Sequence, residues 1–310
     1  MTPRERAAAA LERRIPDRVP TFELEFQLEP EMFGRRFLHH EDLAGKSAAE
    51  RDRLLNENAD YMLEVYGALE YDIIPLHYLA FEELLETARI IRRRTGNHYM
   101  LTAHGDGTFA LPDGNEMVAF AYRLADEPEV LEAEAERMAA EAIENNKRLA
   151  DAGVDSLILC CDYCYNAGPF VSPKHFAWLI TPYLARIIEA ARANGQYTIK
   201  HTDGNIMPIL DQLVEANPHA IHSLDPMAGV DIAEVKRLVG DKVALCGNVN
   251  CALMQTGTDQ QVFDSAMYCL THGKPGGGYI YCTSNVPFRG LPVERYRMVL
   301  DIWKQHRDYA

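Results

Sequence analysis

The chain has 310 residues, is 47% hydrophobic, and carries 31 Lys and Arg against 46 Asp and Glu, a formal net charge of −15. That length and apolar content suit one large α/β barrel or two smaller domains. A surface this acidic argues against nucleic acid or an anionic membrane as partner, and no apolar run is long enough to span a bilayer.

Met1-Thr-Pro-Arg-Glu-Arg6 and the four alanines after it are charged and helical, with no apolar signal core, so a cytoplasmic location is expected. Seven cysteines, an odd number with several inside strands, fit that compartment and argue against a disulfide framework. Arg4 to Arg14 reads as an amphipathic helix, which Ile15-Pro-Asp-Arg-Val-Pro20 ends with two prolines. Thr21-Phe-Glu-Leu-Glu-Phe26 alternates as a strand does, with Glu23 and Glu25 on one side. Residues 49–70 are expected to be helical, and Tyr71-Asp-Ile-Ile-Pro-Leu-His77 is the next strand. Arg89 to Leu111 carries turn signals at Thr95-Gly-Asn97 and Gly105-Asp-Gly107, which suggest a hairpin excursion from the main fold.

From Glu127 the rhythm is regular. Helices over 127–152, 173–194, 208–216, 231–239, 259–272 and 292–306 alternate with strands ending near Asp162, His201, Asp225, Cys246 and Cys282. Such alternation predicts parallel strands. Roughly eight of them give a single domain over 1–310, a (β/α)8 TIM-type barrel with an N-terminal helical extension and a hairpin excursion. The alternative, a doubly wound sheet, would normally carry a Gly-rich phosphate loop after its first strand, and none is present.

Three strands end on potential metal ligands and break at once into Gly or Asn: Tyr197-Thr-Ile-Lys-His201-Thr-Asp203-Gly204, Val243-Ala-Leu-Cys246-Gly-Asn248 and Tyr279-Ile-Tyr-Cys282-Thr-Ser284. In a barrel, active sites occupy the carboxyl ends of the strands, so His201, Asp203, Cys246 and Cys282 would share one rim. Imidazole, carboxylate and thiols together point to zinc. Each also has an ordinary alternative: a hydrogen-bonded core histidine, a turn cap at Asp203, small buried thiols. Asp225 closes its own strand as a ligand, a partner to His201, a substrate contact or a cap. Asp162 ends another strand, His77 is a candidate proton donor near the same rim, and Glu25 or Glu23 faces the barrel mouth as an acid or oxygen ligand. Cys161 and Cys164 have the spacing of half a zinc ribbon, but no second pair follows.

The chain resembles the uroporphyrinogen decarboxylase superfamily in its opening (Arg4-Glu-Arg-Ala…Pro16-Asp-Arg-Val-Pro20) and in Phe170-Val-Ser-Pro-Lys-His-Phe176. Lys200-His-Thr-Asp-Gly-Asn205, Leu224-Asp225, Leu245-Cys-Gly-Asn-Val-Asn250 and the Gly278 to Asn285 stretch are similar too. The resemblance implies a TIM-type barrel. True decarboxylases use no metal and bind an octacarboxylate through arginines in an early segment. Here that segment is Thr21-Phe-Glu-Leu-Glu-Phe-Gln-Leu-Glu29, which would repel a polyanion. The other branch is the cobalamin-dependent methyltransferases, whose thiol-methylating members carry His-x-Cys and a later Cys as zinc ligands. His201 matches the His and Cys282 the later Cys, while Asp203 stands where the first Cys would be and Cys246 could restore the missing sulfur.

The resemblance thus implies a zinc-dependent methyltransferase, working between a corrinoid carried on a partner protein and a small methylated donor or a thiol or folate acceptor. Zinc would hold the acceptor as thiolate or act as Lewis acid on the donor. Uroporphyrinogen decarboxylation is the alternative. A barrel kept as a binding or activator protein is the non-enzymatic one.

Overall fold

Most strand runs are short, and apolar residues dominate on both faces, as in parallel strands enclosed by helices. In the computed structural model, which describes residues 1–309, seven of them form one curled sheet with every neighbouring pair parallel, and Cys164–Tyr165 pairs antiparallel with Gly168–Pro169 outside it. Its order is Ile73–Pro75, Met100–His104, Ser156–Cys160, Tyr197–His201, Ala220–His222, Ala244–Cys246 and Tyr279–Ile280. Among the helices between and around them are Ala48–Ala68, Phe81–Thr95, Pro128–Asp151, Ile232–Val239, Asp259–Gly273 and Val293–His306. Pro3–Leu11 forms the expected N-terminal helix, with Thr2 as N-cap. Among the described residues, no helix is long and apolar enough to cross a membrane.

The sheet's two edges meet at Pro20 and Thr21. Pro20 accepts a hydrogen bond from the Tyr281 N–H at 2.9 Å, and Thr21 accepts one from the Asp72 N–H at 2.9 Å. The Asp72 carboxylate is fully buried. It accepts from the Thr21 N–H at 3.0 Å and from Arg6 Nη1 at 2.5 Å. Those bonds complete a TIM-type barrel, with Arg6 of the N-terminal helix supplying the compensating charge.

Three expectations need correction. The strand expected over Thr21–Phe26 shrinks to one bridging residue, Thr21, paired with Tyr281. Past it the chain leaves the ladder, and Glu23 turns its carboxylate onto the Thr283 N–H at 3.1 Å and the Thr283 hydroxyl at 2.5 Å. The hairpin expected within 89–111 is barrel framework. Its first turn signal is the C-terminus of the Phe81–Thr95 helix, where Gly96 takes φ +57°, and its second follows the Met100–His104 strand. Leu85, Ala88 and Ile91 bury one face of that helix, a period hidden by Arg92-Arg-Arg94. The helix expected over 173–194 breaks at Ile180, two residues before Pro182, which has no N–H to continue it.

Replacing Asp72 by Asn should destabilise the fold by about 3–5 kcal/mol, because the buried Arg6 loses a compensating charge; a thermal melt followed by circular dichroism measures it. Glu70 gives an acid-side counterpart. Burial alone would raise its carboxyl, but Arg307 and Arg18, each 2.7 Å away, hold it down at about 2. Its stabilisation is therefore complete above the ordinary glutamate range and fades as pH falls towards 2. After discounting for solvent screening it is about 1 kcal/mol. Glu70→Gln should flatten the acid limb of the stability profile by that amount while leaving the neutral-pH fold intact.

Candidate functional site

Alternation along each strand decides which side chains enter the barrel. The Tyr279 ring lies against Gly273, and the Tyr281 hydroxyl donates to Val299 O; both partners belong to flanking helices. Tyr279 and its ladder neighbours Leu245, Ile221 and Lys200 therefore face outward. The other parity faces the axis, so Cys160, His201, His222 and Cys246 form one row at the carboxyl end of the sheet. Lys200 takes the opposite direction to its neighbour His201: its ammonium is buried on Asp106 Oδ2 at 2.7 Å and over the Tyr163 ring.

The rim loops bring two carboxylates onto His201. Its Nε2 lies 3.6 Å from Asp162 Oδ1 and 3.8 Å from Asp203 Oδ1. One ligand atom from each of Asp162, His201 and Asp203 falls within 4.8 Å of the others, the separation a single metal ion bridges. The supports are specific. Asp162 Oδ1 accepts from the Asp203 N–H at 2.9 Å. Asp203 Oδ1 accepts from the Ser223 hydroxyl at 2.6 Å, and its Oδ2 from Asn285 Nδ2 at 2.5 Å. His201 Nδ1 meets His222 Nδ1 at 2.9 Å, which leaves Nε2 for the carboxylates. His222 is fully buried, and its Nε2 has no hydrogen-bond partner.

Burial, with Lys200 and His104 adding like charge, drops the His201 pKa to about 3, so the ring is neutral and keeps a lone pair for a cation. Burial and repulsion from Asp162 and Asp225 push the Asp203 carboxyl up to about 6, against the Ser223 and Asn285 hydrogen bonds. Among the described residues, no Lys or Arg forms a salt bridge with Asp162, Asp203 or Asp225. A neutral imidazole facing uncompensated carboxylates fits a divalent cation, and the oxygen-rich donor set suits zinc or a harder ion.

The ligand set expected from the sequence is divided. His201 and Asp203 stand together, and Asp162 joins them. Cys246 and Cys282 lie outside that group: both are fully buried, and burial pushes each thiol well above its ordinary range. Cys282 makes its one hydrogen bond to Ile280 O, at 3.9 Å. Asp225 accepts from the Gly204 and Met227 N–H groups and so ties the Asp203 loop to its own. The His77 ring packs against Phe37 and Tyr78 with both nitrogens buried and unbonded, and burial lowers it to about 3. Glu25 reaches the Gln27 amide at 3.4 Å, while Glu23 is buried on Thr283 and pushed up to about 8. Cys161 donates to Thr108 O, and Cys164 is buried.

Sequence reasoning missed His222, Ser223 and Asn285. His222 had a usable signal, because it occupies the same position in its strand as His201 does in the strand before. Ser223 and Asn285 had none, since ordinary polar loop residues become ligand supports only once the loops converge.

A family model described as uroporphyrinogen decarboxylase (URO-D) matches residues 72–306. Among solved structures, a methyltransferase from Methanosarcina mazei is similar at 17% identity with a TM-score of 0.72, covering 98% of this chain and 99% of that one. An N-acetylneuraminate lyase from Fusobacterium nucleatum is similar at 12% identity with a TM-score of 0.42, covering 82% and 74%. No curated protein matches the sequence.

A zinc titration followed by calorimetry separates the ligand sets. His201→Ala and Asp203→Asn should each lower affinity by more than the roughly 10- to 100-fold that loss of a ligand's supporting partner costs, and Cys282→Ala should leave it within about two-fold of the parent. Loss of zinc in Cys282→Ala, with retention in Asp162→Asn, would return the thiols to the site.

Proposed function

The chain belongs to the uroporphyrinogen decarboxylase family, and from that premise we propose that it is a zinc-dependent methyltransferase rather than a decarboxylase. It moves a methyl group between a corrinoid carried on a partner protein and a small methylated donor or a thiol or folate acceptor, in the cytoplasm, where its seven free cysteines stay reduced. The observation that carries this reading is the group of Asp162, His201 and Asp203, a cation-binding arrangement at the carboxyl end of the barrel. A polycarboxylated tetrapyrrole would meet the same carboxylates, with Asp225 beside them, as repulsion. The overall similarity to a methyltransferase supports the barrel, and the rim residues support the chemistry.

His201 Nε2 with the Asp162 and Asp203 carboxylates would hold the zinc. Bound there, it would supply Lewis-acid activation of a methylated donor or keep an acceptor thiol deprotonated. The chain's own residues do the positioning. His222 fixes the His201 ring through Nδ1, Ser223 and Asn285 fix the two oxygens of Asp203, and the Asp203 N–H fixes Asp162. Asp225 holds the Gly204 turn on which Asp203 is presented.

Mixing the zinc-loaded protein with methylcobalamin and a thiol, or with cob(I)alamin and a methylated donor, should change the corrin absorption spectrum. Asp203→Asn should slow that change by about 10- to 100-fold. Metal-independent conversion of uroporphyrinogen to coproporphyrinogen would instead favour the decarboxylase, and neither activity would favour a binding protein.

A further inference from the structure

Beside the His201 group opens a cavity of about 460 Å³, within the range of small-molecule sites. Its lining is of two kinds, the acidic Asp203 and Asp225 and the apolar Met227, Val286 and Phe288, with Met227 57% exposed. No Lys or Arg lines it. The guanidinium that follows Phe288 in the chain, Arg289, lines a different cavity with Glu29 and His39.

Charge counting shows what such a cavity selects. A zinc ion held there would offset the two carboxylates of Asp162 and Asp203, and His201 adds nothing while neutral. Asp225 then remains as an uncompensated negative charge on the cavity wall. Its two oxygens accept only backbone N–H groups, from Met227 at 2.8 Å and Gly204 at 3.1 Å, so its charge is not cancelled by a cation. In the same lining, an aromatic ring and a thioether offer the soft, polarizable surface that methylated ammonium groups favour.

We propose that this cavity binds a cationic, N-methylated amine, with the positive nitrogen towards Asp225 and its apolar part against Met227, Val286 and Phe288. The inference narrows the proposed methyl-transfer reaction to a class of methyl donor and rests on that reading for the zinc in the charge count and for what happens after binding. Anionic thiols and folates are disfavoured by the same wall.

The test is calorimetric binding to the zinc-loaded protein, without any corrinoid, of three probes similar in size: benzyltrimethylammonium, benzyl methyl ether and 4-methoxybenzoate. The cation should bind about 5- to 30-fold more tightly than the ether, and the benzoate should bind worst. Asp225→Asn keeps an oxygen acceptor for one of the two N–H groups, loses the other bond, and should remove most of that preference. Gln255→Lys places a cation on the exposed lining without touching those bonds, so it tests the same point if the first variant is unstable; it should weaken the ammonium and admit the benzoate. Equal affinity for ether and ammonium, or a preference that neither variant changes, overturns the proposal. Selective ammonium binding without any methyl transfer to cob(I)alamin would leave the ligand class standing and sink the methyltransferase reading, so the two failures are distinguishable.

Discussion

The barrel depends on a buried carboxylate. Asp72 stands just before the first strand of the sheet, and its side chain and main chain both reach Thr21, whose other side meets Tyr281 beside the last strand. Parallel strands leave unpaired N–H and C=O groups at any open edge, and burying them without partners is costly. Two residues, Pro20 and Thr21, satisfy that edge here, and a two-residue closure has little packing of its own. The ion pair with Arg6 compensates the charge this arrangement buries, which ties the N-terminal helix to the closure. The helix is thus part of the barrel's seam rather than an appendage.

Pleating and ladder register set the parity of the strands, and parity creates the site. Lys200 and His201 are neighbours in sequence, yet pleating sends the ammonium to Asp106 between sheet and helices and the imidazole to the barrel axis. The result separates a cation from a metal-ligand candidate by one peptide bond. Asp106 neutralises Lys200 at 2.7 Å and also accepts from the Cys161 N–H, the residue before Asp162. One buried pair therefore anchors the loop that delivers Asp162 while removing the positive charge that would compete for it.

Much of this was legible in the sequence. Strand–helix alternation from Glu127 onward gave the barrel and the carboxyl-end rim, and the His201-x-Asp203 spacing marked two of the three residues that meet. The early chain was misread for a physical reason: alternation in Thr21-Phe-Glu-Leu-Glu-Phe26 suits a strand, but Glu23 finds better partners in the Thr283 N–H and hydroxyl. The separation of the thiols from the His201 group was hidden for another reason. Chemistry-bearing residues at strand ends are visible in a sequence, whereas the depth at which each side chain sits is not. Cys246 and Cys282 face no solvent, while Asp162, flagged as a rim acid rather than a ligand, stands beside His201.

The arrangement around Asp203 carries a cost that bears on its purpose. A half-buried carboxylate with two like charges nearby is an unfavourable group, and the hydrogen bonds from Ser223 and Asn285 offset only part of that. His222 adds a second liability, a fully buried imidazole nitrogen without a partner, next to His201. A fold selected for stability alone would replace these groups with apolar side chains of similar volume. Each would become useful under the proposed cation binding: the carboxylates would gain their counter-charge and His222 would hold the ring that ligates it. The polar cost of this arrangement and the proposed capacity to hold a metal are therefore one feature.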